Sequence, residues 1–418
     1  MKEIFYKIFI LFSILSFGIF SFSFCDDIGD DEIIDVNSEI TSSNLSKKEI
    51  KPPDINSRAC VVIDRNTNTI LYGKNEKQKR KMASTTKIMT ATIIIENCNL
   101  DETIEVSKKA AGTGGSRLGL KTGDKITVRD LLYGLMLRSG NDSAVALAEY
   151  AGGSIEGFAE LMNKKASELG LTNTHFETPH GLDSDEHYTT AYELAILSNY
   201  ALNNTTFTQI VGTKDYTITI NGYPKQLSNT NELLGNLTGV YGIKTGFTNG
   251  ANRCLVTACK RNNIDIICVV LGADTKKLRT QDSIKLINYI FDNFEIINIK
   301  ELIENSFEQW KKENLNKIVI NKGTSRITNL KIENIDKTVF IPIRKDLINS
   351  ININIDCPLY FEAPLIPYSQ IGNINISSSD NVDFNYIIYN STEIKHKTCK
   401  MYFLELLKNY SSILNYAL

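Results

Sequence analysis

The chain has 418 residues, 42% of them hydrophobic and 22% charged, with a formal net charge of −2. That length can hold two or three domains with sizeable cores, and the near-neutral balance excludes binding to nucleic acid through bulk positive charge. Eight cysteines are scattered without C-x-x-C spacing, which argues against a metal site and for small buried thiols in the apolar runs where most of them lie.

In chain order, Lys2 and Lys7 flank the start of an uncharged apolar stretch at residues 8–24. This is the pattern of a secretory signal over residues 1–25, with a retained membrane anchor as the alternative. Residues 26–57 carry Asp26, Asp27, Asp30, Asp31, Glu32, Asp35 and Glu39 before the first base at Lys47, and read as a solvated acidic linker closed by Pro52-Pro53. Ala59-Cys60-Val61-Val62-Ile63 and Thr69-Ile70-Leu71-Tyr72, on either side of a polar turn, predict a hairpin.

Next comes Met82-Ala83-Ser84-Thr85-Thr86-Lys87-Ile88-Met89-Thr90, which sets a hydroxyl and an amine three residues apart at the head of an apolar run. On a helix such positions share a face, so Lys87 can reach Ser84, which lies near the helix N-terminus and its backbone N–H groups. A serine hydroxyl needs a base to become a nucleophile, and no histidine is near in sequence. Lysine serves only when neutral, and bringing its pKa from about 10.4 to near 7 takes roughly 4 to 5 kcal/mol. Burial and a second cation can supply that, so another lysine must be aimed at this site.

Ala110 to Gly119 is glycine-rich but lacks the G-K-[ST] ending of a phosphate loop, and reads as a loop near the cleft. Thr127-Val128-Arg129-Asp130 opens an amphipathic helix running into Leu137-Arg138-Ser139-Gly140-Asn141, where the glycine is expected to break the helix and turn the Ser139 hydroxyl and Asn141 amide into a cleft. His175, His180 and His187 share a loop with Glu177, Asp183 and Asp185. Their spacing is not that of a zinc helix, so the loop reads as an ordered border of the cleft, held by Pro179 and Gly181. Val240 to Thr248 predicts an edge-like strand, turned at Asn249-Gly250 into Cys254-Leu255-Val256-Thr257-Ala258, with a third strand at residues 264–271. It carries Lys244-Thr245-Gly246, and Lys244 is the required second cation.

Past Phe294, Lys317-Ile318-Val319-Ile320, residues 327–332, Val339-Phe340-Ile341-Pro342 and residues 351–355 are short alternating runs of a small β-domain. Near the end, Phe403, Leu406, Leu407, Tyr410, Leu414 and Ala417 fall on one helical stripe, with Glu405, Lys408, Asn409 and Ser412 opposite. Such a helix lies on a membrane without crossing it, helped by Lys395, His396, Lys397 and Lys400; the alternative is a helix packed on the β-domain.

The order S-x-x-K, S-x-N, K-T-G is that of the active-serine penicillin-interacting fold. Lys81-Met82-Ala83-Ser84-Thr85-Thr86-Lys87, Leu137-Arg138-Ser139-Gly140-Asn141-Asp142-Ser143, Thr178-Pro179-His180-Gly181-Leu182 and Lys244-Thr245-Gly246-Phe247-Thr248 extend the match. Over about residues 58–294 the chain resembles the serine-type D-alanyl-D-alanine carboxypeptidases, low-molecular-mass penicillin-binding proteins of the peptidase S11 family. One departure is Gly250-Ala251-Asn252-Arg253-Cys254, where many members have an Ala-Gly pair.

The resemblance implies an α+β fold: a β-lactamase/transpeptidase-like catalytic domain with an antiparallel sheet flanked by helices (58–295), a small β-rich domain (296–394) and the amphipathic helix (395–418). It implies Ser84 as nucleophile, Lys87 as general base, Ser139 as proton relay, Asn141 holding the substrate amide, and the backbone N–H groups of Ser84 and Phe247 as oxyanion hole. Lys244, Thr245 and Gly246 would line the substrate, with Arg279 as cationic partner of its carboxylate. The implied partners are a peptidoglycan stem peptide ending in D-Ala-D-Ala, β-lactams and a membrane surface, with no cofactor or metal and an exported location. Two rivals are a class A β-lactamase, whose second motif is S-D-N and whose deacylating glutamate segment has no clear match here, and a wall-binding protein without catalysis.

Overall fold

The computed structural model describes residues 50–325, 328–333, 340–378 and 383–416. The expected signal and the linker through residue 49, like Ile327 and Val339 of the predicted strands and Ala417 of the terminal stripe, lie outside the described residues. Two compact units divide between Ile290 and Phe291.

In chain order the first unit holds β1 (Ala59–Asp64), β2 (Ile70–Lys74), α1 (Lys87–Asn97), β3 (Thr103–Glu105), α2 (Lys108–Ala111), β4 (Lys125–Thr127), α3 (Val128–Leu137), α4 (Asn141–Gly152), α5 (Ile155–Glu168), α6 (Ala191–Leu202) and α7 (Thr205–Val211). The hairpin β5 (Asp215–Ile220) and β6 (Tyr223–Ser228) follows, then β7 (Val240–Thr248), β8 (Asn252–Arg261), β9 (Ile264–Ala273) and α8 (Lys276–Asn293), which runs through the division. The predicted hairpins join in one antiparallel sheet of order β2-β1-β9-β8-β7. Val61 opposite Val269 brings the two ends of the unit together. Strands β1, β8 and β9 are buried along most of their length, so their apolar residues run continuously where a half-exposed strand would alternate. β7 is the edge, which leaves one side of the K-T-G strand for other contacts. Helices α3, α5 and α6 start where Thr127, Ser154 and Thr190 each accept the N–H three residues on, satisfying donors the helix cannot.

The second unit opens with β10 (Phe294–Asn298) and α9 (Ile299–Asn314). The sequence reading expects only strands here. The helix follows from Asn298 accepting Glu301 N and from Ile299, Ile303 and Phe307, buried at fourfold spacing. Next come β11 (Val319–Asn321), β12 (Leu330–Ile332), β13 (Phe340–Arg344), β14 (Asn352–Asp356), β15 (Tyr360–Glu362), β16 (Gln370–Ser377), β17 (Asp383–Asn390) and α10 (Cys399–Tyr416). Its four-stranded sheet, β12-β17-β16-β14, buries Ile374, Ile376 and Ile388 against the residues of α9. Helix α10 differs from the packed alternative: Phe403, Leu406, Leu407 and Tyr410 are 50–67% exposed.

Candidate active site

Ser84 occupies a 3₁₀ turn, Ala83–Thr86, that passes directly into α1 at Lys87. The expectation of an α-helix through Ser84 is corrected here: in a three-residue turn, positions i and i+3 eclipse, which aims the amine at the hydroxyl more directly. Lys87 Nζ lies 2.8 Å from Ser84 Oγ. Ala83 just before it sits at φ 49°, a left-handed conformation costing an alanine about 1–2 kcal/mol. Neighbours hold it there. Gly181, at φ 87°, packs so close that a Cβ would overlap the Ala83 carbonyl, and a Cβ on Gly246 would stand 3.1 Å from Ser84 N.

Lys87 is fully buried. Besides Ser84 its Nζ meets Asn141 Oδ1 at 2.7 Å and the His180 carbonyl at 3.0 Å. Asn141 donates Nδ2–H to the Gly114 carbonyl, which turns its oxygen toward the lysine, and its backbone N–H bonds the Ser116 carbonyl. The glycine-rich loop thus backs the site. Asp142, which the sequence reading quotes but gives no role, orders that loop by accepting from Leu118 N, Gly119 N and Leu120 N.

Between α3 and α4 the break differs from expectation. Ser139 itself takes the left-handed turn at φ 59°, while Gly140 stays at φ −58°. Glycine is needed there for space, since a Cβ would come within 2.8 Å of Ser143 Oγ and 2.9 Å of Asp142 Oδ1.

On β7, Lys244 and Gly246 share a face because side chains alternate along a strand. That face meets the Met82–Ser84 segment through Gly246, and Lys244 is buried on it. Gly246 thus sets the strand that carries Lys244 beside the turn that carries Ser84, and Lys244 Nζ donates to the Thr245 carbonyl at 3.1 Å. Thr245 Oγ1 bonds Thr230 Oγ1 at 2.8 Å. Phe247, whose ring carries the Arg253 guanidinium at 3.8 Å, directly follows Gly246. Arg279 is buried near the start of α8, and its Nη2 pairs with Glu232 Oε2 at 2.7 Å.

His187 and His180 are buried beside the nucleophile's turn. His187 Nδ1 accepts Glu177 N, so Nε2 carries the proton and donates to Thr86 Oγ1, which donates to the Ala83 carbonyl. Burial pushes its pKa down to about 4. His180, buried and beside Lys87, is pushed down to about 3. Asp183 ties the same loop to the end of β7, accepting from Thr248 Oγ1 at 2.6 Å and Gly250 N at 2.8 Å. In the departing turn, Asn252 takes φ 58°, which asparagine tolerates better than most residues.

A hydroxyl with an amine at hydrogen-bond distance, a second buried lysine and adjacent backbone N–H groups are the parts of nucleophilic acyl transfer. The family model for D-alanyl-D-alanine carboxypeptidase, peptidase S11, matches residues 46–275. D-alanyl-D-alanine carboxypeptidase DacF of Bacillus subtilis (strain 168) is 39% identical over 245 residues, 57% of this chain and 63% of that protein, so the chain spans less than two thirds of this relative's length. The crystal structure of the Streptomyces K15 DD-transpeptidase superposes with a TM-score of 0.56 at 36% identity, covering 58% of this chain and 100% of that one. Penicillin binding protein 5 from Haemophilus influenzae gives 0.65 at 28% identity, covering 83% and 100%. A family match over more than half its length, on a site built from that family's motifs, establishes that the chain belongs to the peptidase S11 family.

Proposed function

We propose that this protein is a serine D-Ala-D-Ala carboxypeptidase that removes the terminal D-alanine from peptidoglycan stem pentapeptides and is acylated by β-lactams. The observation that carries the reading is the set of partners around Lys87 Nζ: two carbonyl oxygens, of Asn141 and His180, and the Ser84 hydroxyl. A neutral amine has two N–H donors and one lone pair. With the amine neutral, its two donors can go to the carbonyls and its lone pair then takes the proton of the hydroxyl; in the charged form Nζ donates to that hydroxyl as well.

Ser84 Oγ then attacks the carbonyl between the two D-alanines as its proton passes to Lys87, and the oxyanion is held by Ser84 N and Phe247 N, a pair of the kind worth about 3–4 kcal/mol per donor. Collapse breaks the C–N bond. Ser139 relays the proton to the leaving amine, and free D-alanine departs. Water, deprotonated by the same lysine, hydrolyses the ester and regenerates Ser84. Asn141 holds the substrate amide, while Lys244, Thr245 and Gly246 line the strand on which the peptide lies.

The protein works outside the cytoplasm, on the reading of residues 1–25 as a signal. Helix α10 holds it at the membrane surface by its exposed apolar side chains; no described helix is long and apolar enough to cross a membrane. The basic cluster contributes less than its composition suggests, because Lys397 pairs with Glu405 at 2.6 Å and Lys395 with Glu393 at 3.6 Å.

The deciding experiment is incubation of the purified protein with a pentapeptide ending in D-Ala-D-Ala, followed by mass detection of released alanine. Release that stops in Ser84→Ala supports the proposal; no release from folded protein refutes it.

A further inference from the structure

The Ser84 N–H, one of the two proposed oxyanion donors, belongs to the peptide unit that begins at the Ala83 carbonyl. That unit is trans and planar, so its N–H points opposite to its C=O. Whatever holds the Ala83 oxygen therefore aims the Ser84 N–H. Ala83 does not fix the direction by its own preference, because φ 49° is a conformation that alanine avoids.

A chain of hydrogen bonds reaches that oxygen from the histidine loop. Thr86 Oγ1 donates to it at 2.8 Å. A hydroxyl has one hydrogen, so the ring must donate in the 2.8 Å contact between His187 Nε2 and Thr86 Oγ1. Nε2 has that hydrogen because Nδ1 accepts Glu177 N at 3.0 Å, and a neutral imidazole carries one N–H. Burial keeps the ring neutral, and the Phe176 ring meets it edge-on at 5.7 Å. All three donors run one way, from the Glu177 N–H to the Ala83 oxygen, and hydrogen bonds aligned in series strengthen one another. Gly181 packs against the last of them, since a Cβ there would stand 2.5 Å from Thr86 Oγ1 and closer still to the Ala83 oxygen.

We infer that His187 is a positioning residue for the oxyanion hole: through Thr86 it fixes the Ala83–Ser84 peptide plane so that the Ser84 N–H faces the reacting carbonyl. The inference rests on the carboxypeptidase reading and deepens it, by giving the histidine loop a part in acyl transfer that needs neither substrate contact nor proton transfer. Two substitutions separate this role from plain loop packing. Glutamine carries an amide N–H at about the place of Nε2, whereas asparagine ends at about the place of Nδ1 and falls short of Thr86.

The test compares wild type, Thr86→Val, Thr86→Ser, His187→Asn, His187→Gln and the double variant Thr86→Val/His187→Asn, with thermal midpoints confirming the fold. Fluorescent-penicillin acylation is followed over a range of concentrations, kcat and KM are measured on the D-Ala-D-Ala pentapeptide, and affinity is measured for a boronic acid that adds to Ser84 and leaves an oxygen in the hole. The relay predicts that Thr86→Val and His187→Asn lower the saturating acylation rate about five- to thirty-fold, the factor that about one to two kcal/mol at a buried hydrogen bond makes in a rate. The half-saturating concentration should move less than about two-fold, and boronic-acid affinity should fall by the same factor as the rate. Thr86→Ser and His187→Gln should restore most of the loss, and the double variant should be no more than about two-fold worse than the worse single one. Unchanged acylation in Thr86→Val overturns the relay, as do effects that multiply in the double variant, or His187→Gln as slow as His187→Asn. Should Thr86→Val not fold, the two His187 variants decide. A wild type that is acylated by penicillin yet releases no alanine counts against the carboxypeptidase reading alone, and the acylation rates still judge the relay; a wild type that does neither overturns both.

Discussion

In the first unit Lys87, Lys244, Arg279, Asp142 and Asp282 are all but inaccessible to solvent, whereas in the second the buried polar side chains among the described residues are Thr328 and Asn390. Taking an ion out of water costs several kcal/mol even after relaxation. A fold keeps such groups only where partners surround them, and here they have them: carbonyls around Lys87, Glu232 on Arg279, and the Ser57 N–H and hydroxyl on Asp282. The second unit instead closes on isoleucine and leaves Tyr360, Ile366, Tyr368 and much of α10 exposed. Buried polar groups are gathered in one unit and exposed apolar groups in the other; on the proposed reading the first serve the chemistry and the second the attachment.

The sharpest way to break that contrast is at the nucleophile. Ser84→Ala should abolish both alanine release and penicillin labelling, and Lys87→Met should lower kcat/KM roughly 10⁴- to 10⁶-fold, as when one member of a concerted catalytic group is removed. Labelling of Lys87→Met at the wild-type rate would remove lysine as the base.

Matched glycine substitutions separate the units next. Gly181→Ala adds a Cβ that overlaps the Ala83 carbonyl at a left-handed φ, so it should cost about 2–5 kcal/mol and displace the nucleophile's turn. Gly372→Ala places a Cβ 2.5 Å from the Asp356 carbonyl and should cost about 1–3 kcal/mol in the second unit. Thermal unfolding should register both. Penicillin acylation, measured below either transition, should fall only for Gly181→Ala, and an equal fall for Gly372→Ala would contradict the division of labour.

These tests also mark what could be read from the chain. The meeting of Ser84 with Lys87 was legible because the two share a four-residue motif whose spacing carries its own geometry, and Asn141, from the second motif, meets the same amine. The sheet was legible because its strands are long and apolar. What escaped depends on partners distant in sequence. Glu232 means nothing without Arg279 forty-seven residues on, and Asp142 needs the loop at Leu118–Leu120 twenty-two to twenty-four residues back. The left-handed turn at Ser139 was hidden because glycine beside it is the residue expected to adopt it. Helix α9 has a cap at Asn298 and a stripe of Ile299, Ile303 and Phe307, but its signal is short beside the period-two pattern of the asparagine-rich strands that follow it.

The histidines offer a gentler probe of the same contrast. His180 and His187 are held neutral in the fold, with pKa values of about 3 and about 4, against about 6.5 when unfolded. Below pH 6.5 the unfolded chain takes up protons that the folded one refuses, so stability is fully present above that pH and is lost as pH falls toward 4. The slope is about 1.4 kcal/mol per pH unit for each histidine. Urea midpoints measured from pH 7 to pH 4 should show this in wild type, with His187→Asn removing about half of it. A slope unchanged by that substitution would mean His187 is not the group responsible.

The smallest effect expected is at α10, where the same physics runs outward. Leu406 and Tyr410 are 67% and 65% exposed, on one stripe of a helix that supplies no core contact for them. Inserting a leucine into an apolar phase is worth about 1.5–3 kcal/mol, so Leu406→Ser should lower partitioning onto anionic vesicles roughly ten-fold or more, with kcat on a soluble peptide unchanged. Because Lys395 and Lys397 are already paired with Glu393 and Glu405, most of the attraction is apolar, and adding salt should weaken it only modestly. Binding that vanishes in salt yet ignores Leu406→Ser would make the helix an electrostatic tether, and the exposed stripe would then need another occupant.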